Sequence, residues 1–259
     1  MSHEDLLMVV DVGNTNTVCG VFRGEELDRD FRFSTDIDRT ADEYASLLLP
    51  LLNAAELDPA RASGVVICSV VPPLNLTFEL LSKRYFHQEP LFVEPGVKTG
   101  LSIRYENPTE VGADRIVNGL AARELYGAPV IVADFGTATT FDVVNAEGEY
   151  AGGVIAPGLG ISAEALFSHA SRLYQIDLRR PQHLVGRNTA GAMQSGLYYG
   201  YVGLVDGILV RLLEELGQDT MVVGTGGEAD LIASGSQYIR EVNPQLTLLG
   251  LKMIYDRNR

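Results

Sequence analysis

The chain is poor in positive charge, with 20 Lys and Arg against 34 Asp and Glu, a formal net charge of −14 and a pI of about 4.7. A surface of this sign repels the phosphate backbone of nucleic acids, so nucleic acid is not an expected partner. The sequence has no signal-peptide pattern near its start and no uninterrupted apolar run of about 18 residues. These absences predict a cytoplasmic protein without a membrane partner.

Several kinds of site lack their residues. The two cysteines, Cys19 and Cys68, are too few for a disulfide framework and lie in apolar strand patterns, which indicates small buried hydrophobes rather than a redox pair. The four histidines are scattered, and no Cys/His cluster has zinc spacing. No Gly-Lys pair occurs, which excludes a Walker A loop. Residues 158–163 match Gly-x-Gly-x-x-Ala, but a dinucleotide site would need this motif near the first strand of a βαβ unit.

The apolar residues that are present alternate between strand and helix patterns over 259 residues, which is typical of an α/β fold and long enough for two domains. Thr40 and Glu43 form a capping-box pattern ahead of a first helix. Pro50 is expected to kink or shorten that helix, because proline has no amide hydrogen to donate. A further helix is predicted over 114–126.

A long helix is predicted from about Thr189 to Leu216. Its glycines step by four, three and four residues along one face: Gly196, Gly200, Gly203 and Gly207. Such faces let helices approach closely, in membranes or in water. Because Gln194, Asp206 and Arg211 interrupt the apolar pattern, close packing in water is the interpretation that we favour.

Two segments share one unusual pattern: "VVDVGNTNTVCGVF" from Val9 and "IVADFGTATTFDVV" from Ile131. Each is an apolar strand followed by Asp-x-Gly, a short Thr-rich turn and a second strand. Taken alone, the first turn is equally well explained as that of a β-hairpin, since Gly13 and Asn14 tolerate the positive φ of tight turns. Two such turns, each opening one half of the chain, indicate an internally duplicated core.

The residues of these turns also suit phosphate binding. Glycine lets backbone N–H groups approach phosphate oxygens, Thr and Asn add neutral donors, and an Asp at each strand end can hold a metal ion or its water. An acidic protein can in this way bind a polyanion through local donors and Mg²⁺ without a basic surface.

These motifs carry a family resemblance. The two Asp-x-Gly segments resemble the phosphate motifs of the actin, sugar-kinase and heat-shock-chaperone superfamily, and "VVGTGG" at 222–227 resembles its adenosine motif. Within it, "NPTEVGADRIVN" (107–118), "GGVIAPGL" (152–159) and "NTAGAMQSG" (188–196) resemble type III pantothenate kinases. The chain differs from the family pattern at Arg187 and Gly191, where a lysine and a larger residue are expected. The Ser-His-Glu-Asp lead before the first strand is longer than usual.

The resemblance implies an α/β fold of two duplicated actin-like (ribonuclease-H-like) domains, each a mixed sheet flanked by helices, with ATP in the cleft between them. The expected domains are 1–116 and 117–259, with the option that the last helix packs back on the first domain. The implied activity is ATP-dependent phosphorylation of the primary hydroxyl of pantothenate, with Mg²⁺ accompanying ATP. The implied ATP-binding residues are Asp11, Val12, Gly13, Asn14, Thr15, Asn16, Thr17, Val18 and Thr137.

The same resemblance assigns Asp114 as the general base within a substrate-binding segment formed by Gly112, Ala113, Asp114 and Arg115. Taken alone, Asp114 could instead cap the helix that follows it. Arg115 would meet the pantothenate carboxylate or a phosphoryl oxygen, as a guanidinium fork does; the alternative is a surface or interdomain ion pair.

Three further implications concern the acceptor, a cation and assembly. Tyr105 and Thr189 correspond to pantothenate contacts, although a lone Tyr or a Thr that starts a helix is more often structural. Asp134 matches the ligand of a monovalent cation, K⁺ or NH₄⁺, with a buried turn carboxylate as the alternative. The family also implies a homodimer, for which the glycine face is a candidate surface.

Two other functions use the same fold: a nucleotide-dependent regulator without catalysis, and a kinase or phosphatase acting on a sugar, acetate or polyphosphate. Retention of Asp114 and Arg115 beside both phosphate motifs argues against the regulator.

Overall fold

A computed structural model describes residues 5–170 and 172–259, so Ser2–Glu4 of the lead lie outside the described residues. The strands are β1 Leu6–Val12, β2 Asn16–Arg23, β3 Glu26–Ser34, β4 Ala62–Ser69, β5 Leu91–Phe92, β6 Val130–Phe135, β7 Ala138–Val144, β8 Tyr150–Pro157, β9 Met221–Gly226 and β10 Glu241–Val242. The α-helices are α1 Ala41–Ala54, α2 Asn75–Leu81, α3 Ala113–Tyr126, α4 Leu159–His169, α5 Thr189–Leu216, α6 Ala229–Ala233 and α7 Leu246–Asn258.

The chain forms two compact units, which are described separately. Unit 1 consists of the chain up to Gly100 together with Asn107–Ala121 and Thr247–Arg259. Unit 2 consists of Leu101–Glu106 and Ala122–Leu246. The domain limits expected from the sequence, 1–116 and 117–259, stay a prediction.

Unit 1 is built on a five-stranded mixed sheet in the order β3-β2-β1-β4-β5. β1 pairs antiparallel with β2 and parallel with β4, so a hairpin and a crossover meet on the same central strand. The central strands are almost wholly apolar, as is usual for strands covered on both faces. Cys19 and Cys68 are free and buried in β2 and β4, which confirms the structural interpretation of both.

Helix α1 begins with the predicted capping box, in which the Thr40 hydroxyl accepts from the Glu43 amide and the Glu43 carboxylate accepts from Thr40. Pro50 was expected to kink or shorten this helix, and it does not shorten it, because α1 continues to Ala54; the kink stays a prediction. Leu48 and Leu52, on either side of Pro50, are buried in the core of unit 1, and this packing offsets the backbone hydrogen bond that proline cannot donate.

Unit 2 repeats the same topology, with a sheet in the order β10-β9-β6-β7-β8. Its central strand β6 pairs antiparallel with β7 and parallel with β9, as β1 pairs with β2 and β4. The long helix α5 has the predicted bounds and packs Tyr198, Tyr201 and Val205 into the core. Two mixed sheets with one strand order and flanking helices confirm the predicted α/β fold and its internal duplication.

Helix α5 is, among residues 5–170 and 172–259, the helix that is long and apolar enough to cross a membrane by length and composition. Gln194, Asp206 and Arg211 therefore do not exclude a membrane-spanning helix by composition, contrary to the interpretation drawn from the sequence. However, 33% of its apolar stretch is buried inside the protein, and core helices of soluble proteins pass the same test.

Candidate active site

The first candidate phosphate loop, called the first phosphate loop from here on, is the turn that joins β1 to β2. The Gly13 amide donates to the Asn16 carbonyl at 3.0 Å, and the side chains of Asn14, Thr15 and Asn16 are exposed. A Cβ atom at Gly13 would lie 2.9 Å from the Asn16 carbonyl oxygen, so the turn needs glycine there. The segment is therefore a hairpin turn, and that turn also presents amide and hydroxyl groups to solvent, so the two interpretations are compatible.

Asp11 and Val18 face each other across the base of this hairpin, and Val12 pairs with Thr17. Asp11 is half-buried, whereas Val12 and Thr17 are fully buried. Asp11 thus stands at the strand end beside the exposed turn, where a carboxylate can reach a metal ion or water bound to phosphate.

The second phosphate loop joins β6 to β7 in the same way. The Gly136 amide donates to the Ala138 carbonyl at 3.1 Å, and the Gly158 amide donates to the Thr137 carbonyl at 3.1 Å. A Cβ at Gly158 would lie 2.4 Å from the Gly136 carbonyl oxygen, so the chain entering α4 is in close contact with the loop. Asp134 is half-buried, and its Oδ1 lies 2.6 Å from the position of a Cβ at Gly226. Glycine at 226 therefore leaves room for this carboxylate.

Asp114 is the second residue of α3, so it lies in the first turn of the helix rather than at its N-cap. Its Oδ1 accepts a hydrogen bond from the Arg115 amide at 2.8 Å. Burial raises the pKa of Asp114, while this hydrogen bond and the Arg115 guanidinium oppose the shift. A raised pKa makes the carboxylate a stronger proton acceptor, as a general base requires.

The neighbours of Asp114 restrict its carboxylate. A Cβ at Gly112 would lie 2.5 Å from the Asp114 Oδ1, so residue 112 must be small for this position of the carboxylate. Arg115 is only 8% exposed, so it is not part of a solvated surface ion pair. Ala113 is the first residue of the helix.

Asp11 and Asp114 come together in unit 1 around a buried thiol. Cys68 pairs with Asp11 in the parallel register of β1 and β4. Burial raises the pKa of Cys68 well above its usual value, and the negative charges of Asp11 and then Asp114 raise it further. The structure therefore brings one residue of the first phosphate loop and the candidate base into electrostatic range of the same atom.

The remaining candidates lie in unit 2. Tyr105 is 39% exposed, and its ring centroid lies 6.4 Å from that of Tyr150. It also packs on Gly152, where an added Cβ would lie 3.4 Å from the Tyr105 Cε2. Thr189 is the first residue of α5, behind the N-cap Asn188, whose side chain accepts from the Gly191 amide at 2.7 Å.

Thr189 lines a cavity of about 820 Å³. Its walls come from α4, from the chain before α5 and from the first turns of α5, and they include Leu166, Arg187, Met193 and Leu197. The cavity thus combines an apolar wall with one guanidinium and the first residue of a helix. Such a combination suits a small, partly apolar ligand with polar ends.

Gly191, one of the two departures from the family pattern, has a packing role. A Cβ at Gly191 would lie 3.2 Å from Asn188 Oδ1 and 3.5 Å from the Gly186 Cα. The chain at Gly186 comes closer still, because a Cβ there would lie 2.2 Å from the Ala192 amide nitrogen. A small residue at 191 therefore lets this chain pack on the first turn of α5 and close one side of the cavity.

Within the described ranges, no group of three or more His, Cys, Asp and Glu could hold a metal ion. A Mg²⁺ ion bound with ATP does not need one, since it is usually held by one or two carboxylates, water and the substrate phosphates. Asp11 and Asp134, each beside a glycine turn, are donors of that kind.

Sequence reasoning missed the roles of Thr35, which bonds to the first phosphate loop, and of Tyr201, which bonds to the strand that follows the second. The Thr35 hydroxyl donates to the Gly13 carbonyl at 2.7 Å, and the Tyr201 hydroxyl bonds to Thr139. They are 22 and 62 residues from these partners, and no local pattern marks such a pair.

The comparisons with known proteins agree on one family. A family model described as "Type III pantothenate kinase" matches residues 7–211. A type III pantothenate kinase of Anaeromyxobacter sp. (strain Fw109-5) is 55% identical over 254 residues, covering 98% of this chain and 100% of the relative. Those of Koribacter versatilis and Myxococcus xanthus are 53% and 54% identical, each across 98% of this chain and, respectively, 96% and 99% of the relative.

Solved structures with little sequence identity share the fold. MreB 5 of Spiroplasma citri, solved bound to AMPPNP, is 10% identical with a TM-score of 0.55, covering 98% of this chain and 96% of that one. The ethanolamine utilization protein EutJ from Carboxydothermus hydrogenoformans is 14% identical with a TM-score of 0.54, covering 96% and 89%. These likenesses confirm the actin-like fold.

Proposed function

The chain belongs to the type III pantothenate kinase family, and from that premise we propose that it transfers the γ-phosphoryl group of ATP to the primary hydroxyl of pantothenate. The product is 4'-phosphopantothenate, and the reaction is the first step of coenzyme A biosynthesis. The observation that carries this proposal is 55% identity to a named type III pantothenate kinase over 98% of the chain.

The two glycine turns bind phosphate oxygens in this proposal. Phosphoryl transfer needs little covalent help from the protein, whose tasks are to neutralise charge and to align the reacting groups. The exposed residues of the first turn, 14–16, offer amide and hydroxyl donors, and Thr137 offers the same in the second. Asp11 would hold a Mg²⁺ ion through its water ligands, and that ion would supply further charge neutralisation.

Asp114 accepts the proton of the attacking hydroxyl. Its partial burial and raised pKa favour this role, and the fixed hydrogen bond from the Arg115 amide leaves the second carboxylate oxygen to meet the substrate. The Arg115 guanidinium neutralises either the pantothenate carboxylate or a phosphoryl oxygen, as a buried fork of donors does well.

We assign the acceptor to Tyr105, Thr189 and the cavity that Thr189 lines. Pantothenate has a branched apolar segment, an amide and a carboxylate, and this cavity has aliphatic walls with the cation Arg187. Gly112 and Ala113 complete the proposed acceptor contacts in unit 1.

Asp134 binds the monovalent cation, K⁺ or NH₄⁺, in this proposal. Its carboxylate is half-buried beside the second phosphate loop, where a cation would offset phosphate charge.

The protein works in the cytoplasm as a homodimer in the same proposal. Within the part of the chain that the structure describes, a Cβ added to Gly196, Gly200 or Gly203 would meet nothing within 4 Å. This face of α5 therefore has room for a closely packed helix of a second copy.

An acceptor panel tests the activity. The purified protein is incubated with γ-labelled ATP, Mg²⁺ and K⁺ in the presence of pantothenate, glucose, acetate or polyphosphate, with an Asp114→Asn preparation as the control for contaminating kinases. We expect label in pantothenate alone. Label in another acceptor would point to a different kinase of the same fold, and nucleotide binding without any turnover would point to a regulator.

A further inference from the structure

The two phosphate loops share a feature beyond their glycine turns. In each hairpin the strand after the loop carries a fully buried threonine. Thr17 pairs with Val12 across the first hairpin and Thr139 pairs with Phe135 across the second, and both threonines are 0% exposed. The two threonines occupy equivalent register positions in the two hairpins. A buried hydroxyl is costly unless it has a hydrogen-bond partner, so each loop needs a partner from elsewhere in its unit.

In unit 1 this partner is Thr35, which follows β3. The Thr35 hydroxyl donates to the Gly13 carbonyl at 2.7 Å, and the two threonine Oγ1 atoms are 2.9 Å apart. Since a hydroxyl has one hydrogen to give, Thr17 is the donor to Thr35. The Thr35 amide also donates to the Thr15 carbonyl at 2.9 Å. Thr35, directly after β3, is thus hydrogen-bonded to Gly13 and Thr15 in the turn and to Thr17 at the start of β2.

In unit 2 the partner is Tyr201 of α5. Its hydroxyl bonds to the Thr139 hydroxyl and donates to the Pro157 carbonyl at 3.1 Å, so Thr139 is the donor to Tyr201. Pro157 precedes Gly158, the residue whose amide bonds to the second phosphate loop. One tyrosine hydroxyl therefore joins the strand after the loop to the chain segment that packs on the loop.

The two arrangements have the same logic although their partner residues differ in type and in position along the chain. In each, a buried threonine donates to a second hydroxyl, and that hydroxyl donates to a backbone carbonyl. Burial raises the pKa of Tyr201, so its hydroxyl keeps the proton that this relay requires.

We propose that Thr35 and Tyr201 are positioning residues that hold the two phosphate loops in their ATP-binding conformation through these hydroxyl pairs. The proposal rests on the proposed function in so far as the loops bind ATP. Glycine turns are soft, and fixing them before the ligand arrives lowers the entropy lost on binding. Neither residue touches the nucleotide in this proposal.

Four substitutions test it, with AMPPNP and Mg²⁺ as the probe in calorimetry on the full-length protein. Tyr201→Phe keeps the buried ring and removes the hydroxyl. Tyr198→Phe is the matched control, because Tyr198 is buried on the same helix and its hydroxyl bonds to Ser234 instead. Thr35→Val removes the other hydroxyl at nearly constant shape, and Thr35→Ser restores it.

We expect Tyr201→Phe and Thr35→Val each to raise the Kd for AMPPNP about tenfold, in line with the loss of one buried hydrogen-bond partner. Tyr198→Phe and Thr35→Ser should stay within about twofold of the wild type. In turnover assays, Tyr201→Phe and Thr35→Val should raise the KM for ATP and leave the KM for pantothenate nearly unchanged.

A purely structural role would lower the melting temperature of Tyr201→Phe with an unchanged Kd, and that result would overturn the inference. So would equal effects of Tyr201→Phe and Tyr198→Phe. If Tyr201→Phe does not fold, Thr35→Val against Thr35→Ser decides the matter for the first loop, and Thr139→Val, which removes the hydroxyl that donates to Tyr201, against Thr139→Ser decides it for the second. If the wild type binds AMPPNP but does not phosphorylate pantothenate, the proposed function fails while the Kd comparison still stands; no AMPPNP binding at all would end both.

Discussion

Asp114→Asn separates the proposed catalytic role of this carboxylate from a purely structural one. Asparagine keeps the volume and the Oδ1 that accepts the Arg115 amide at 2.8 Å, but it cannot accept a proton from the substrate. We expect kcat to fall by about 10²- to 10⁴-fold, the usual contribution of a positioned general base. That loss corresponds to about 3–5 kcal/mol of transition-state stabilisation. A loose transition state with late proton removal would give the lower end of this range.

The pKa of Asp114 predicts the sign of two further effects. Because burial raises the pKa, the acidic limb of the wild-type kcat/KM profile should lie at higher pH than an ordinary aspartate would give, and it should be absent from Asp114→Asn. The folded protein also binds this proton more tightly than the unfolded chain does. Stability is therefore lost as the pH rises from the unfolded to the raised folded pKa. At neutral pH, Asp114→Asn should melt at the same temperature as the wild type or higher.

A matched control is available in unit 1. Asp42 is the second residue of α1, as Asp114 is of α3, and both helices have 14 residues and begin with alanine. Asp42→Asn removes a first-turn charge of the same kind and should leave turnover unchanged. Steady-state kinetics at saturating ATP and pantothenate make the comparison. Near-normal turnover of Asp114→Asn would refute the base assignment and return Asp114 to a helix-stabilising role.

Three other predictions concern the site and the assembly. Gly112→Ala places a Cβ 2.5 Å from the Asp114 Oδ1, so kcat should fall about 10- to 100-fold with little change in circular dichroism; normal kcat would show that the carboxylate position does not matter. Replacing K⁺ by Na⁺ should depress turnover, and Asp134→Ala should lose most of this response; equal wild-type rates in both salts would remove the cation assignment. Light scattering should give twice the 28.1 kDa chain mass at micromolar concentration, and the mass of one chain would contradict the homodimer.

Much of the fold could be predicted because it depends on local patterns. The capping box at Thr40, the limits of α5 and the two Asp-x-Gly turns are each set by residues within a few positions of one another. Strand β3 was missed, since Glu26–Ser34 carries charged residues at most positions. It lies at the edge of the sheet in unit 1, where one neighbour is enough and a continuous apolar run is not needed.

The contents of the candidate site were only partly predictable for the same reason. Asp11, Asp114 and Asp134 lie in recognisable motifs, and the sequence alone marks them. Thr35 and Tyr201 reach their loops only through the folded arrangement of strands and helices, because hydroxyl partners far apart in sequence leave no periodic signal. Leu47 and Leu51 of α1 are exposed although they stand at helical spacing beside the buried Leu48 and Leu52. The core of unit 1 covers a narrower stripe of this helix than its leucines would allow, and that width is set by tertiary packing.

The division of unit 1 into three segments has a consequence for the order in which the chain folds on the ribosome. Its final segment, Thr247–Arg259, carries α7, where Tyr255 bonds to the Ser63 carbonyl and Leu248 packs over Gly20 of β2. All residues of unit 2 have been synthesised once Leu246 is made, while the sheet of the first phosphate loop still lacks this helix. The ribosome therefore finishes all the residues of unit 2 before those of unit 1, although unit 1 contains the amino-terminal sheet. This is the reverse of the usual N-to-C order of domain folding. A bulky carboxyl-terminal fusion would accordingly disturb the amino-terminal sheet before it disturbed unit 2.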